Sequence, residues 1–134
     1  MCGIAGIVTK EGVKPSPQKI KAMAAALAHR GPDDEGFYLK NNVALGHRRL
    51  SILDLSSAGH QPMESHDGKL RIIFNGEIYN YLELKKELGP RNYKSNTDTE
   101  VLLLAYQKWG PAFLKKLNGI FAFAIADSRR APRL

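Results

Sequence analysis

Cysteine is nearly absent from this chain of 134 residues, which carries one, at position 2. A lone cysteine excludes an internal disulfide framework and any all-cysteine zinc site. No apolar run approaches the roughly 18 residues of a membrane span. The first 20 residues lack a basic start followed by an apolar block, so no secretory signal is read there. The four histidines, His29, His47, His60 and His66, show no ligand spacing such as a pair on one helix face, and no metal site is expected. Gly3 and Gly6 lie in an apolar stretch and lack the lysine of a phosphate-cradling loop. Repeats, low-complexity stretches and an interdomain linker are missing as well. The expectation is one soluble, cytoplasmic domain, and a chain of this size can bury roughly 68% of its unfolded surface.

Acidic residues are in short supply. There are 13 Asp and Glu against 20 Lys and Arg, a net charge of +7. Such a balance permits an acidic partner. The cations are nevertheless scattered (Lys19 and Lys21, Arg48 and Arg49, Lys85 and Lys86, Lys115 and Lys116), and only Arg129, Arg130 and Arg133 cluster. Nucleic acid is therefore not the expected partner.

Residues 2–8 are small and β-branched, with too many glycines for a helix, and read as a buried strand. Ser16-Pro17 is a helix start, and Ile20, Met23, Ala24, Leu27 and Ala28 recur at helical spacing, so a helix is expected over 17–29. Gly31 and Pro32 stop it. Strands are expected at 36–40, 43–47 and 49–53, with a turn at Asn41-Asn42. A polar loop from Asp54 to Pro62 precedes another apolar strand, Leu70–Asn75. A short helix is expected over 79–88. Thr97 with Glu100 reads as a capping box for a helix that Gly110-Pro111 ends. Gly119–Asp127 alternates Phe121, Phe123 and Ile125 with alanines, so both faces are apolar, as in an inner strand covered on both sides. The order is not that of a parallel doubly wound fold, and stacked sheets with helices outside fit better. The chain stops seven residues after that strand, which points to a piece of something longer.

Three groups of residues could carry chemistry. If Met1 is removed, Cys2 holds a thiol and a free α-amine, whose pKa of about 7.7–8.0 suits it to take the thiol proton. Any residue can follow an initiator, so position 2 alone is weak. Asn75-Gly76-Glu77 closes the strand Leu70–Phe74, where an Asn amide and the next N–H could form an oxyanion hole; a plain Asn-Gly turn is the other reading. Arg49 opens a strand, where its guanidinium could grip a carboxylate. Asp98 sits in a first helical turn, where an acid serves the helix dipole in any case.

In order along the chain stand Cys2-Gly3-Ile4-Ala5-Gly6, His29-Arg30-Gly31-Pro32-Asp33, Arg49-Leu50-Ser51-Ile52, Asn75-Gly76-Glu77-Ile78-Tyr79-Asn80 and Asn96-Thr97-Asp98-Thr99-Glu100. Together they closely resemble the N-terminal glutamine amidotransferase domain of glutamine-dependent asparagine synthetases, a class II amidotransferase of the N-terminal nucleophile hydrolase superfamily. The resemblance covers residues 2–134 as a partial amidotransferase domain. It implies an α+β fold, a four-layer αββα sandwich of two antiparallel sheets, here C-terminally incomplete. By resemblance Cys2 is the nucleophile that releases ammonia from glutamine, and Asn75 with the Gly76 N–H forms the oxyanion hole. Arg49 resembles the ligand of the substrate α-carboxylate. Asp98, with the Gly76 carbonyl, resembles the anchor of its α-ammonium. Leu50, Ser51, Ile52, Leu53 and Glu77 would line the pocket.

The resemblance further implies L-glutamine as substrate and a large ATP-binding synthetase domain beyond this chain. ATP, Mg²⁺ and aspartate would bind there, and no cofactor is expected in this segment. A retained Met1 would convert the Cys2 amine into an amide without a basic lone pair. A silent, partner-binding module and the amidotransferase of a related specialised-metabolism synthetase are the alternatives. The segment alone is expected to have little or no glutaminase activity and either to aggregate or to dimerise through the edge of its last strand.

Overall fold

A computed structural model describes residues 1–129 of the chain. Arg130 and Arg133 of the terminal basic cluster lie outside the described residues. Two antiparallel sheets form the centre. The first has strands β1 (Gly3–Val8), β2 (Asp34–Lys40) and β3 (Val43–Arg49) in the order β1-β3-β2. The second has β4 (Met63–Glu64), β5 (Leu70–Ile78) and β6 (Gly119–Asp127) in the order β4-β5-β6.

Helix α1 (Pro17–Ala26) starts where the Ser16 hydroxyl accepts the Lys19 N–H, with proline in its first turn. It ends three residues sooner than its periodicity predicts. Leu27, Ala28 and Arg30 donate to carbonyls three residues back, which tightens the chain into 3₁₀-like turns. Ile20 buries against Ala5 and Ala44 on the outer face of the first sheet, and Ala24, one turn on, is buried over Gly46.

Alternation along the strands supplies the remaining layers. On β3, Val43 and Leu45 point away from α1 and meet Ile73, Ala124 and Ala126 between the sheets. On β5, Leu70, Ile72 and Phe74 face the other way, into the largest core cluster. Helices α2 (Tyr81–Leu88) and α3 (Asp98–Trp109) cover that face with Leu84, Leu88, Val101, Leu102 and Ala105. A 3₁₀ segment, Gly110–Lys116, adds Phe113, which stands edge-on to Tyr106 and Phe123 at 5.6 and 5.7 Å. The result is the expected αββα stack.

Several local expectations change. Residues 50–53 form no strand, and Arg49 closes β3 rather than opening a new one. The cause is a lack of neighbours: β1 begins opposite Arg48 and β2 opposite Arg49, so nothing remains to pair with. The freed Ser51 N–H donates instead to the Asp33 carboxylate at 2.8 Å. Strand β5 runs through Asn75, Gly76 and Glu77 to Ile78, so this triplet lies inside a strand and is no turn. Strand β2 starts two residues early, and α2 two residues late. The capping box is half formed: Thr97 accepts the Glu100 N–H, but the Glu100 carboxylate takes Lys94 N–H and Ser95 N–H. Strand β6 has apolar groups on both faces, yet among the described residues it pairs with β5 alone, leaving its other edge open.

The positive charge is partly absorbed locally. Arg48–Glu35, Arg71–Glu64, Lys116–Glu87 and Arg129–Asp127 form ion pairs on the surface, each of small energetic weight.

Candidate active site

The site grows out of an incomplete sheet edge. Strand β4 is two residues long and starts opposite Ile72, so β5 beyond that point has no strand on its outer side. Its backbone groups must still find partners. Phe74 N–H donates to Gln61 Oε1 at 2.7 Å, and Phe74 O lies 3.1 Å from His47 Nε2. Ile78 N–H donates to Asp98 Oδ2 at 2.9 Å. Gly76 lies midway between these two, with the same parity, so antiparallel alternation points its N–H to the same open edge. A Cβ at Gly76, where φ is +155°, would collide with the backbone of Ile120 and Phe121. The glycine is thus required by the close approach of β6.

A cavity of about 250 Å³ opens at this edge. It is lined by Cys2, Arg49, Leu50, Ile52, Leu53, Asn75, Gly76, Glu77 and Asp98, residues that lie far apart in sequence. Of the residues singled out from the sequence, Ser51 alone is not on this lining. It faces a separate surface depression with Asp33, Asp34 and His60. Gln61, Asp54, Tyr79, Thr97, Thr99 and Ile120 also contribute to the cavity and were not foreseen. Asp54-Leu55-Ser56 carries the signal of an Asx turn, which could have flagged Asp54. Gln61 has no such local signal, since its partners come from β5 and α3.

Cys2 stands one residue before β1, half-buried. Its Sγ accepts the Leu50 N–H at 3.4 Å and lies 3.7 Å from the Leu50 carbonyl, which the thiol can reach as donor. Arg30 Nε donates to the Cys2 carbonyl at 3.1 Å. The Asn75 side chain projects from β5, and its amide oxygen is buried without a partner among the described residues. Such an uncommitted buried acceptor costs stability and calls for a reason.

Opposite charges occupy the cavity wall. Arg49, 6% exposed, donates through Nη1 to the Ser56 carbonyl at 2.7 Å and through Nη2 to the Asp54 carbonyl. Gly59 packs flat against this guanidinium, and a side chain there would displace it. Asp98, 5% exposed, opens α3. Burial pushes its carboxyl above the usual range, against the lowering effect of N–H donation from Ile78 and Thr99, and neighbouring Glu77 adds to the rise. A desolvated anion of this kind gains from an incoming cation.

The order of layers and the two antiparallel sheets are those of the N-terminal nucleophile hydrolase fold. Within that class the chain belongs to the glutamine amidotransferase domain family, which it matches over residues 1–133. It is 43% identical, over 97% of its length, to a putative glutamine-hydrolyzing asparagine synthetase 2 of Methanocaldococcus jannaschii. It is 44% identical, over 93%, to the glutamine-hydrolyzing asparagine synthetase 1 of Bacillus subtilis. The chain spans 28% and 20% of those relatives. It also resembles the amidase chry2 of Gibberella zeae, with 36% identity over 97% of the chain and 21% of that protein. Among solved structures, the B. subtilis glutamine phosphoribosylpyrophosphate amidotransferase complexed with ADP and GMP superposes with a TM-score of 0.56. That match has 23% identity and covers 93% of this chain and 29% of that one, a likeness of fold.

His47, behind Phe74, provides a test of the site's foundation. Burial lowers its pKa from 6.5 to about 4, so the ring is neutral in the folded state and donates through Nε2. The unfolded chain binds a proton that the folded chain refuses, so stability is present above pH 6.5 and is lost as pH falls towards about 4. Urea unfolding across that window is expected to show this slope, and His47→Gln is expected to flatten it. A wild-type stability independent of pH there would mean that His47 titrates as if exposed.

Proposed function

We propose that this domain hydrolyses L-glutamine, with Cys2 as nucleophile. The observation that carries the proposal is the convergence, in one cavity, of a thiol, an Asn side chain, a strand N–H at an open edge, a cation and a buried anion. Glutamine asks for this set. Its α-carboxylate and α-ammonium need opposite charges, here Arg49 and Asp98, each through a charge-assisted contact. Leu50, Ile52, Leu53 and Glu77 enclose the side chain in this reading.

Removal of Met1 frees the Cys2 α-amine, which takes the thiol proton. The thiolate forms a bond to the carboxamide carbon, and the oxyanion accepts hydrogen bonds from Asn75 Nδ2 and the Gly76 N–H. The ammonium of Cys2 returns its proton to the departing nitrogen as the C–N bond breaks, giving ammonia and a γ-glutamyl thioester. Water then cleaves the thioester to glutamate and restores the thiol. No histidine lines the cavity among the described residues, and this scheme requires none.

In the longer proteins of this kind the ammonia would serve ATP-dependent amidation of aspartate, carried out by a synthetase domain outside this segment. The amidotransferase of a related specialised-metabolism synthetase is the rival reading of the acceptor chemistry. ATP and Mg²⁺ belong to that other domain in the proposal. The described residues hold no group of three or more His, Cys, Asp or Glu placed to bind a metal ion. No helix among the described residues is long and apolar enough to cross a membrane. Cytoplasmic residence is part of the proposal, because the nucleophile must stay a reduced thiol.

Cys2→Ala is expected to abolish glutamine hydrolysis by the processed protein. Unchanged ammonia release would remove Cys2 from its role. Intact mass shows whether Met1 has gone; a processed chain that neither binds nor hydrolyses glutamine would favour the silent, partner-binding alternative. Asn75→Ala is expected to slow turnover roughly 10²–10³-fold, the loss typical of one oxyanion donor. An effect on glutamine affinity alone would reassign Asn75 to positioning.

The open edge of β6 supports self-association, since unpaired strand groups flanked by apolar faces are a template for a second strand. Sedimentation of the 134-residue chain is expected to show a concentration-dependent dimer. A monomer at every concentration would show that the edge is adequately protected.

A further inference from the structure

We infer that Asp54 is a positioning residue that holds the two charged walls of the cavity at the spacing of an α-amino acid. The inference rests on the glutamine reading of the same site. Arg49 and Asp98 come from different layers, one from the end of β3 and the other from the start of α3. Gln61 Nε2 ties the loop after Arg49 to Thr99 on α3. Asp54 ties the same loop to the segment ahead of α3, through both of its functional groups.

Its carbonyl accepts from Arg49 Nη2, beside the Ser56 carbonyl that accepts from Nη1. Its carboxylate divides its two oxygens. Oδ1 accepts the Ser56 N–H at 2.8 Å and the Ser56 hydroxyl at 2.6 Å, which closes the turn around the guanidinium. Oδ2 accepts the Asn96 N–H at 3.1 Å, across a sequence separation of 42 residues. Asn96 directly precedes Thr97, the cap of α3, and Asp98 follows. The far side of that segment is already tied to α3, because Glu100 accepts from Ser95 N–H at 2.7 Å and from the Ser95 hydroxyl at 2.7 Å. Asp54 therefore joins a fixed anion wall to a turn that holds the cation. The three donors keep its carboxyl ionised, with the pKa lowered to about 2, so the tie persists at any ordinary pH.

Asp54→Asn separates the two jobs of the carboxylate. The amide oxygen can retain the Ser56 donors, while the amide nitrogen meets the Asn96 N–H, donor against donor. The turn survives and the strut is broken.

The experiment uses the processed chain carrying Cys2→Ala, which binds without turnover, titrated by NMR with L-glutamine and with glutaramate. Glutaramate has the carboxylate and carboxamide of glutamine but no α-ammonium. Asp54→Asn is expected to weaken glutamine binding about ten-fold, the weight of one hydrogen bond to a charged group, while glutaramate binding stays within about two-fold. A general loosening of the fold would weaken both ligands alike, and that result overturns the inference, as does unchanged affinity for both. Absence of glutamine binding to the parent chain would instead overturn the glutamine reading and this inference with it. The parent chain supplies a check that needs no variant at position 54: its Asn96 amide is expected to exchange slowly with solvent, and exchange at the rate of an open loop overturns the strut.

Discussion

The missing neighbour on the outer edge of β5 is the constraint on which the rest of the site depends. A sheet edge inside a layered domain leaves backbone donors in a place that water reaches poorly, and each must be answered. Here Gln61 answers Phe74, and Asp98 answers Ile78. The N–H of Gly76, between them, is left for something that enters the cavity. A longer β4 would satisfy the edge and erase the site. The two-residue β4, the inward reach of Gln61 and the position of α3 can all be understood as consequences of keeping one strand donor available.

Around this edge the molecule concentrates its unfavourable groups. A carboxylate is desolvated at Asp98, an amide oxygen is unpartnered at Asn75, and a histidine is held neutral at His47. A few residues away, Ser95, Thr97 and Glu100 form a buried polar network whose members are mutually satisfied. The contrast is sharp because Asp98 sits at the start of the same helix as that network. One is closed and holds structure; the other is open on one side. Perturbed groups of this kind collect at functional sites.

Much of the architecture could be read from the chain. The Ser16 and Thr97 caps, the Asn41-Asn42 hairpin and the alternation of β6 are local features, and local chemistry decides them. The expected strand at 49–53 failed because its apolar residues suit a strand but its neighbours end at Arg48 and Arg49, a fact of topology that no window of sequence contains. The Asn75-Gly76 pair is a strong turn signal, overridden because β6 continues alongside and pulls it into the ladder. Cys2, Arg49, Asn75, Gly76 and Asp98 were legible because their motifs act as a set. Asp54 and Gln61 were not, since each works through a partner that folding brings from elsewhere.

A residue near the start of a chain carries a mechanical hazard, because termini fray. Cys2 is held by its carbonyl, which Arg30 grips, and by its sulfur, which touches the Leu50 peptide, while its successor Gly3 is already locked opposite Arg48. None of these holds uses the bond to Met1. Cutting that bond would leave all three holds in place at the new terminus.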